Sequence, residues 1–240
     1  MSGEPGTIRV VTWNIRGGVG SDGRFDLARV VRIVERAKPD VVALQEVDSR
    51  RGTAEHAHPF LMLREALGSH SVEAKSIISS DGEYGQILIS RWPLSEIRIH
   101  DISVAQREPR RAIETEVQSP HGPLRMAAVH LGLTFRERRQ QTQTLVDIAT
   151  RCPITTVMVG DFNDWVWRGS VQNAIHRALP ARTWHRTFPS WLPLIRLDRV
   201  YCRPREALVR SWTDREARSV SDHLPVFAEI RPGEWGAAAM

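Results

Sequence analysis

Residues 157–165 read VMVGDFNDW: an apolar run closes on Asp161, Asn163 and Asp164 within four positions. A short, uninterrupted apolar run is the pattern of a strand buried on both faces. Carboxylates are costly to withdraw from water unless they are paired, hydrogen-bonded or bound to a metal. Two of them at the mouth of a buried strand therefore call for a chemical reason.

The pattern recurs. IRVVTW (8–13) ends at Asn14, DVVALQEV (40–47) carries Glu46 near its end, and MAAVH (126–130) ends on His130. Asp198 stands at the start of LDRVYC (197–202), and Asp222 and His223 directly precede LPVFAEI (224–230). Singly, each has an ordinary alternative. Asn14 suits a turn, His130 suits a hydrogen-bonded core position, Ser-Asp-His before Pro225 suits a cap, and Asp164 reads as a cap or turn residue. Together they converge on one pocket if the strand ends gather at one rim. The set has no Cys or His pair at zinc spacing, and NIRGGVG (14–20) lacks the lysine of a nucleotide-binding phosphate loop. Carboxylates, carboxamides and two histidines suit a hard cation such as Mg²⁺ and attack of water on a phosphate ester.

Helices are expected between the strands. Leu27, Val30, Val31 and Val34 recur at helical spacing, with Asp26 at the start and Pro39 beyond. Residues 60–67, about 137–149 and 170–179 also read as helices. GQILIS (85–90), EIRIHDI (96–102), RAIETEV (111–117) and LRMAAVHL (124–131) are strands in the manner of an antiparallel meander, and ALVRSW (207–212) adds another. Runs of adjacent strands interrupted by helices predict an α/β (α+β) fold, with two packed, mainly antiparallel sheets flanked by helices. No repeat, linker or low-complexity segment divides the 240 residues. A single domain is expected, its core spanning about 7–231 and 232–240 forming a frayed tail.

The chain is 41% hydrophobic, enough for a substantial core. No apolar stretch approaches the roughly 20 residues that cross a bilayer. Few residues precede the first strand, leaving no room for a secretory signal, and Cys152 and Cys202 make a weak disulfide framework. A reduced, cytoplasmic setting is expected. Net charge is +5, and all 33 basic residues except Lys38 and Lys75 are arginine. Guanidinium forks suit phosphate oxygens and a basic surface favours polyanions or anionic headgroups; the base composition of the genome is the competing explanation.

In order along the chain, TWNIRGG (12–18), LQEV (44–47), YGQILISRWP (84–93), VHLG (129–132), GDFND (160–164), RLDRVY (196–201) and SDHLPV (221–226) resemble the endonuclease/exonuclease/phosphatase superfamily. That superfamily includes deoxyribonuclease I, abasic endonucleases, neutral sphingomyelinases and inositol polyphosphate 5-phosphatases. The resemblance, which in the Trp-rich stretch extends to a short bacterial subgroup, implies a four-layer, deoxyribonuclease I-like sandwich with its site at one rim. It also implies an Mg²⁺-dependent phosphoesterase in which Mn²⁺ can substitute. Carried over residue by residue, it implies Glu46 as principal metal ligand with Asn14 beside it. Asp161 would deprotonate the attacking water, and Asn163 would hold that water or a phosphate oxygen. His130 and His223 would bind the phosphate, one of them serving as general acid. Asp198 would buttress His130, and Asp222 would orient His223 or complete the metal shell. Asp161 and Asn163, two apart on an extended chain, would point the same way.

QREPRRAI (106–113) is similar to a phosphate-contacting Arg-Glu-Pro stretch of deoxyribonuclease I, making Arg107 and Arg111 candidate substrate contacts; a solvated strand edge is the alternative. Arg16 stands where abasic endonucleases carry an acidic residue, and VHLG instead resembles the deoxyribonuclease, sphingomyelinase and phosphatase branches. Trp165, Trp167, Trp184 and Trp191 fall between GDFND and RLDRVY. They are expected in a loop that stacks bases, sits at a lipid interface or, most simply, fills a satellite core. The leading expectation is a phosphodiesterase acting on nucleic acid or a phospholipid headgroup. The alternatives are a phosphomonoesterase acting on a soluble metabolite and a binding module without turnover. No obligate protein partner is evident.

Overall fold

The computed structural model describes residues 6–50, 58–165 and 170–233. One sheet contains β1 (Ile8–Asn14), β2 (Val41–Asp48), β3 (His70–Ser79), β4 (Gly82–Ser90), β11 (Leu208–Thr213) and β12 (Val226–Ile230). The other contains β5 (Leu94–Asp101), β6 (Arg111–Ser119), β7 (Gly122–His130), β8 (Thr156–Asp161), β9 (Ala181–Arg182) and β10 (Asp198–Arg203). Their orders are β11-β12-β1-β2-β4-β3 and β5-β6-β7-β8-β10-β9. Each sheet holds one parallel pair, β1–β2 and β7–β8, among antiparallel neighbours. The sheets are therefore mixed, with antiparallel pairing predominant.

The continuous apolar runs arise because both faces of the central strands are covered. Val10, Val41, Ala43 and Leu88 of the first sheet meet Ile113, Met126, Ala128, Val157 and Val159 of the second in the layer between them. The alternate residues face outward. Val11, Trp13, Val42 and Leu44 pack under α1 (Leu27–Ala37) and α2 (Pro59–Leu67) through Val30, Val34 and Leu63. Ala127, Val129 and Met158 pack under α3 (Phe135–Thr150) and α4 (Ser170–Ala178) through Leu145, Ile148 and Ile175. Helix, sheet, sheet and helix make the four layers.

The helices stop and start where their ends are satisfied. The Asp26 carboxylate accepts the Arg29 N–H at 3.2 Å, and Lys38 closes α1 in the left-handed region at φ 49. At α3, Thr134 and Glu137 form a reciprocal capping box.

Two details depart from expectation. β3 escapes the sequence reading because its edge position admits Glu73 and Lys75, which break the apolar pattern. β4 is not part of a four-strand meander: it pairs with β2 and β3, while β5, β6 and β7 form the meander in the other sheet. The tail expected to fray from 232 lies mostly outside the described residues, but Thr155 N–H donates to Gly233 O at 2.9 Å, so the chain is docked as far as 233. No described helix is long and apolar enough to cross a membrane.

Gly160 sets the spacing of the two strands that end in the pocket. Its φ is +149, and a Cβ there would lie 1.9 Å from the carbonyl oxygen of Val129 on β7. Gly160→Ala is expected to cost about 1–3 kcal/mol from backbone conformation alone, with the clash in addition. A thermal melt should show Tm lowered by several degrees; an unchanged Tm contradicts this account of the close approach.

Candidate active site

Topology explains why the polar strand ends meet. Parallel β1 and β2 finish at the same edge, as do β7 and β8, where His130 pairs directly with Asp161. Antiparallel neighbours bring their starting residues to that edge: Asp198 of β10 pairs with Asp161, and Val226 of β12 pairs with Thr12. A cavity of about 600 Å³ opens there, lined by Asn14, Glu46, His130, Asp161, Asn163 and His223 among others.

Asn14 ties the two sheets together. Its Nδ2 donates to Glu46 Oε1 at 2.8 Å and to Asp161 Oδ2 at 3.0 Å, and its Oδ1 accepts the Arg16 N–H at 3.1 Å. Glu46 reaches this position through a register shift in the β2–β4 pairing, where its own φ is +57. A non-glycine residue held in that region is strained, and such strain gathers at functional sites. Burial pushes the Glu46 carboxyl above its usual range, against the Asn14 hydrogen bond and the His223 charge. Burial, followed by the charge of Asp198, pushes Asp161 up to about 6. Two desolvated carboxylates drawn together by the Asn14 NH₂ present anionic oxygens that suit a hard cation, which would offset the cost of ionising both.

The two histidines differ in state. His223 Nδ1 lies 2.8 Å from Asp198 Oδ2, and its Nε2 lies 3.9 Å from Asp161 Oδ2. Burial alone would lower its pKa, but the Asp198 charge and hydrogen bond, with Asp161 and Asp222 adding, hold the imidazole up at about 10. His130 is pushed well below the usual imidazole range by burial and by the charges of Arg110 and His223. Arg110 Nη1 lies 3.3 Å from His130 Nδ1, and a guanidinium only donates. Nδ1 therefore accepts, and the His130 proton sits on Nε2, which lies 3.8 Å from Asp161 and 3.9 Å from Glu46. One ring is a cation and the other a neutral N–H donor. Asp161, Asp198 and His223 also offer ligand atoms within 4.8 Å of one another. A cationic imidazole is a poor ligand, so the Glu46 carboxylate suits a metal better, and Asn14, whose Nδ2 faces both carboxylates, positions it.

Several expectations are corrected. Asp198 buttresses His223 rather than His130, because the β8–β10 register points it there. Asp222 lies 3.5 Å from Arg16, in the position of an ion-pair partner rather than an orienter of His223. The chain is not extended at Asn163: φ is 48, its N–H donates to Asp161 Oδ1 at 2.9 Å, and its Nδ2 donates to Leu131 O at 3.0 Å. Asn163 thus orients Asp161 through the backbone. Arg107 is exposed, and Arg111 pairs with Asp101 at the strand edge; Arg110 between them enters the cavity, where it also meets Glu108. Strand alternation begins only at Arg111, so no spacing argument singles Arg110 out. Asp164, expected as a cap or turn residue, is buried, with Oδ1 3.7 Å from the buried Arg138. Trp165, Trp184 and Trp191 are exposed and fill no satellite core, and Trp167 lies outside the described residues.

Comparison with known proteins bears on the family and the fold. Residues 11–223 match the Endonuclease/Exonuclease/phosphatase family. Over 256 aligned positions the chain is 28% identical to the "Uncharacterized protein YbhP" of Escherichia coli (strain K12), covering 93% of this chain and 96% of that one. Among solved structures, it is similar to an endonuclease/exonuclease/phosphatase family protein from Leptotrichia buccalis, with TM-score 0.74, 17% identity, and 93% and 99% of the two chains covered. The 3′ phosphatase NExo from Neisseria, bound to a product DNA hairpin, gives TM-score 0.66 and 19% identity, with 95% and 100% covered. A family match running from β1 to His223, on a fold that family members share, places the protein: the chain belongs to the endonuclease/exonuclease/phosphatase family.

Proposed function

We propose that the protein is a divalent-metal-dependent phosphodiesterase acting on nucleic-acid or phospholipid-headgroup diesters. The observation that carries this reading is the meeting of a buried His223–Asp198 pair, Asp161 and the Asn14-bridged Glu46 around one cavity. The DNA hairpin bound to the structurally similar Neisseria phosphatase supports a nucleic-acid phosphate among these substrates.

Asp161, oriented by the Asn163 N–H, accepts a proton from water as that water attacks phosphorus. His223, charged and held by Asp198, gives its Nε2 proton to the departing oxygen, so that diester and water become monoester and alcohol. His130 presents its Nε2–H, and Arg110 its charge, to the oxygens of the phosphate. Glu46, positioned by Asn14, would hold Mg²⁺ or Mn²⁺, which when bound neutralises charge on the phosphoryl oxygens.

The test is hydrolysis of bis(p-nitrophenyl) phosphate and of p-nitrophenyl phosphate by the full chain. The diester should be cleaved faster, the rate should vanish in EDTA, and Mg²⁺ or Mn²⁺ should restore it. A rate that survives EDTA contradicts the metal role. Cleavage of the monoester alone favours the phosphomonoesterase alternative, and cleavage of neither favours a binding module. Glu46→Gln should raise the Mg²⁺ concentration needed for half-maximal rate by about 10–100-fold, the loss typical of a perturbed metal site. A titration that overlays wild type removes Glu46 from the metal site.

A further inference from the structure

Next to the catalytic cavity lies a second one of about 220 Å³, formed by β9, β10 and the segment between them. Trp165 and Ile195 line both cavities, so the two are contiguous. Arg182, Arg196 and Arg199 also line the second cavity, together with Trp184. The guanidinium of Arg182 lies 3.9 Å from the centre of the Trp184 ring and that of Arg196 lies 5.8 Å from it.

Among the described residues the positive charge here has no ion-pair partner. Elsewhere the protein neutralises its shielded arginines: Arg125 meets Glu114 at 2.7 Å, and Arg9 meets Glu229 at 2.9 Å. Around the second cavity no ion pair between described residues reaches Arg182, Arg186, Arg196 or Arg199. Arg199, only 6% exposed, donates to two neutral acceptors, Tyr201 Oη at 3.0 Å and Asp164 O at 2.9 Å. Arg196 is pushed below its usual pKa by burial and by repulsion from Arg186, Arg199 and Arg182. Gathering like charges without a counter-charge costs stability, and a bound anion removes that cost. Beside them Trp165 is 63% exposed, and Trp184, 59% exposed, carries the Arg182 guanidinium on its ring.

An anion pocket separated from the catalytic cavity by an exposed indole matches a ligand that alternates phosphates with flat rings. Single-stranded nucleic acid has that repeat, and bases stack on aromatic side chains with little regard to sequence. A lipid headgroup supplies phosphate but no ring. We infer that the second cavity is a subsite for a backbone phosphate flanking the scissile one, with the intervening base stacked on Trp165, so that the preferred substrate is a single-stranded oligonucleotide. This rests on the phosphodiesterase reading above.

The test uses the full chain and the double variant Arg182→Gln/Arg196→Gln, whose side chains lie outside the catalytic cavity. The affinity of a labelled oligothymidylate is measured in EDTA across a salt series, so that binding is read without turnover. Losing one phosphate contact to a single strand should flatten the log affinity against log salt slope by about 0.7 and weaken binding, while the rate on bis(p-nitrophenyl) phosphate stays at wild type. An unchanged slope and affinity overturn the subsite. So does a variant that loses binding to phosphatidylglycerol vesicles while keeping the oligonucleotide, which assigns the pocket to lipid. The two readings fail separately. Absence of diester hydrolysis in the wild type removes the catalytic reading, whereas an unchanged salt slope in an active enzyme removes only the subsite.

Discussion

Asp161→Asn is expected to lower phosphodiester turnover by about 10²–10⁴-fold, the usual contribution of a positioned general base, without lowering thermal stability at neutral pH. The second half of that expectation separates catalysis from architecture. Asp161 is buried, faces Asp198 across the β8–β10 register, and has its pKa raised to about 6 by burial and that neighbouring charge. A carboxyl that holds its proton more tightly when folded favours the folded state at low pH. Its contribution declines as pH rises through the range from about 4 to about 6. Above that range the ionised group burdens the fold, and asparagine relieves the burden while its amide oxygen can still accept one of the two hydrogen bonds. Tm of the variant relative to wild type should therefore be higher at pH 8 than at pH 4. A variant that keeps its rate contradicts the base role, and one that melts early at pH 8 contradicts the electrostatic account.

Asp198→Asn should act through His223 and be read in its pH profile. With Asp198 present the imidazole stays charged to about pH 10, although burial opposes it. With that charge and hydrogen bond gone, only Asp161 and Asp222 oppose burial, and the imidazole pKa falls from about 10. The alkaline limb of the rate should move down from near pH 10, and the loss approaches the ~10²–10⁴-fold contribution of a general acid at pH values above the new limb. The loss should fall mainly on diesters with alkoxide leaving groups, which need a proton. A p-nitrophenolate departs without one and should be affected far less. Equal losses on both substrate types contradict the general-acid role. The same pair links to stability with the same sign as Asp161, but in a higher pH window. A raised histidine pKa stabilises the fold fully below the unfolded value and loses that contribution as pH rises through about 10.

What was legible in the sequence follows from what local pattern can encode. Predominantly apolar runs such as IRVVTW and TVMVG mark strands covered on both faces, and the polar residue ending each run marks the rim. Asn14, Glu46, His130, Asp161, Asn163 and His223 all reach one cavity on that basis. Partnerships across the rim were not legible, because they depend on register. Asp198 joins His223 only because β10 runs antiparallel to β8 and starts opposite Asp161. The turn of Glu46 into the cavity depends on a register shift against β4, a strand separated from it by α2 and β3. Arg110 lies just before its strand, where alternation gives no guidance. The tryptophans misled for a different reason. Indoles suggest a core by composition, and only the fold shows that Trp165, Trp184 and Trp191 face outward.

The central claim is that strand ends distant in the chain assemble a cation-assisted phosphate site at one rim. Anomalous diffraction from crystals of the full chain grown with Mn²⁺ tests it most directly. The account predicts a peak in the rim cavity against the Glu46 carboxylate, absent in Glu46→Gln. A Mn²⁺ peak found only elsewhere, or one that persists unchanged in that variant, contradicts it.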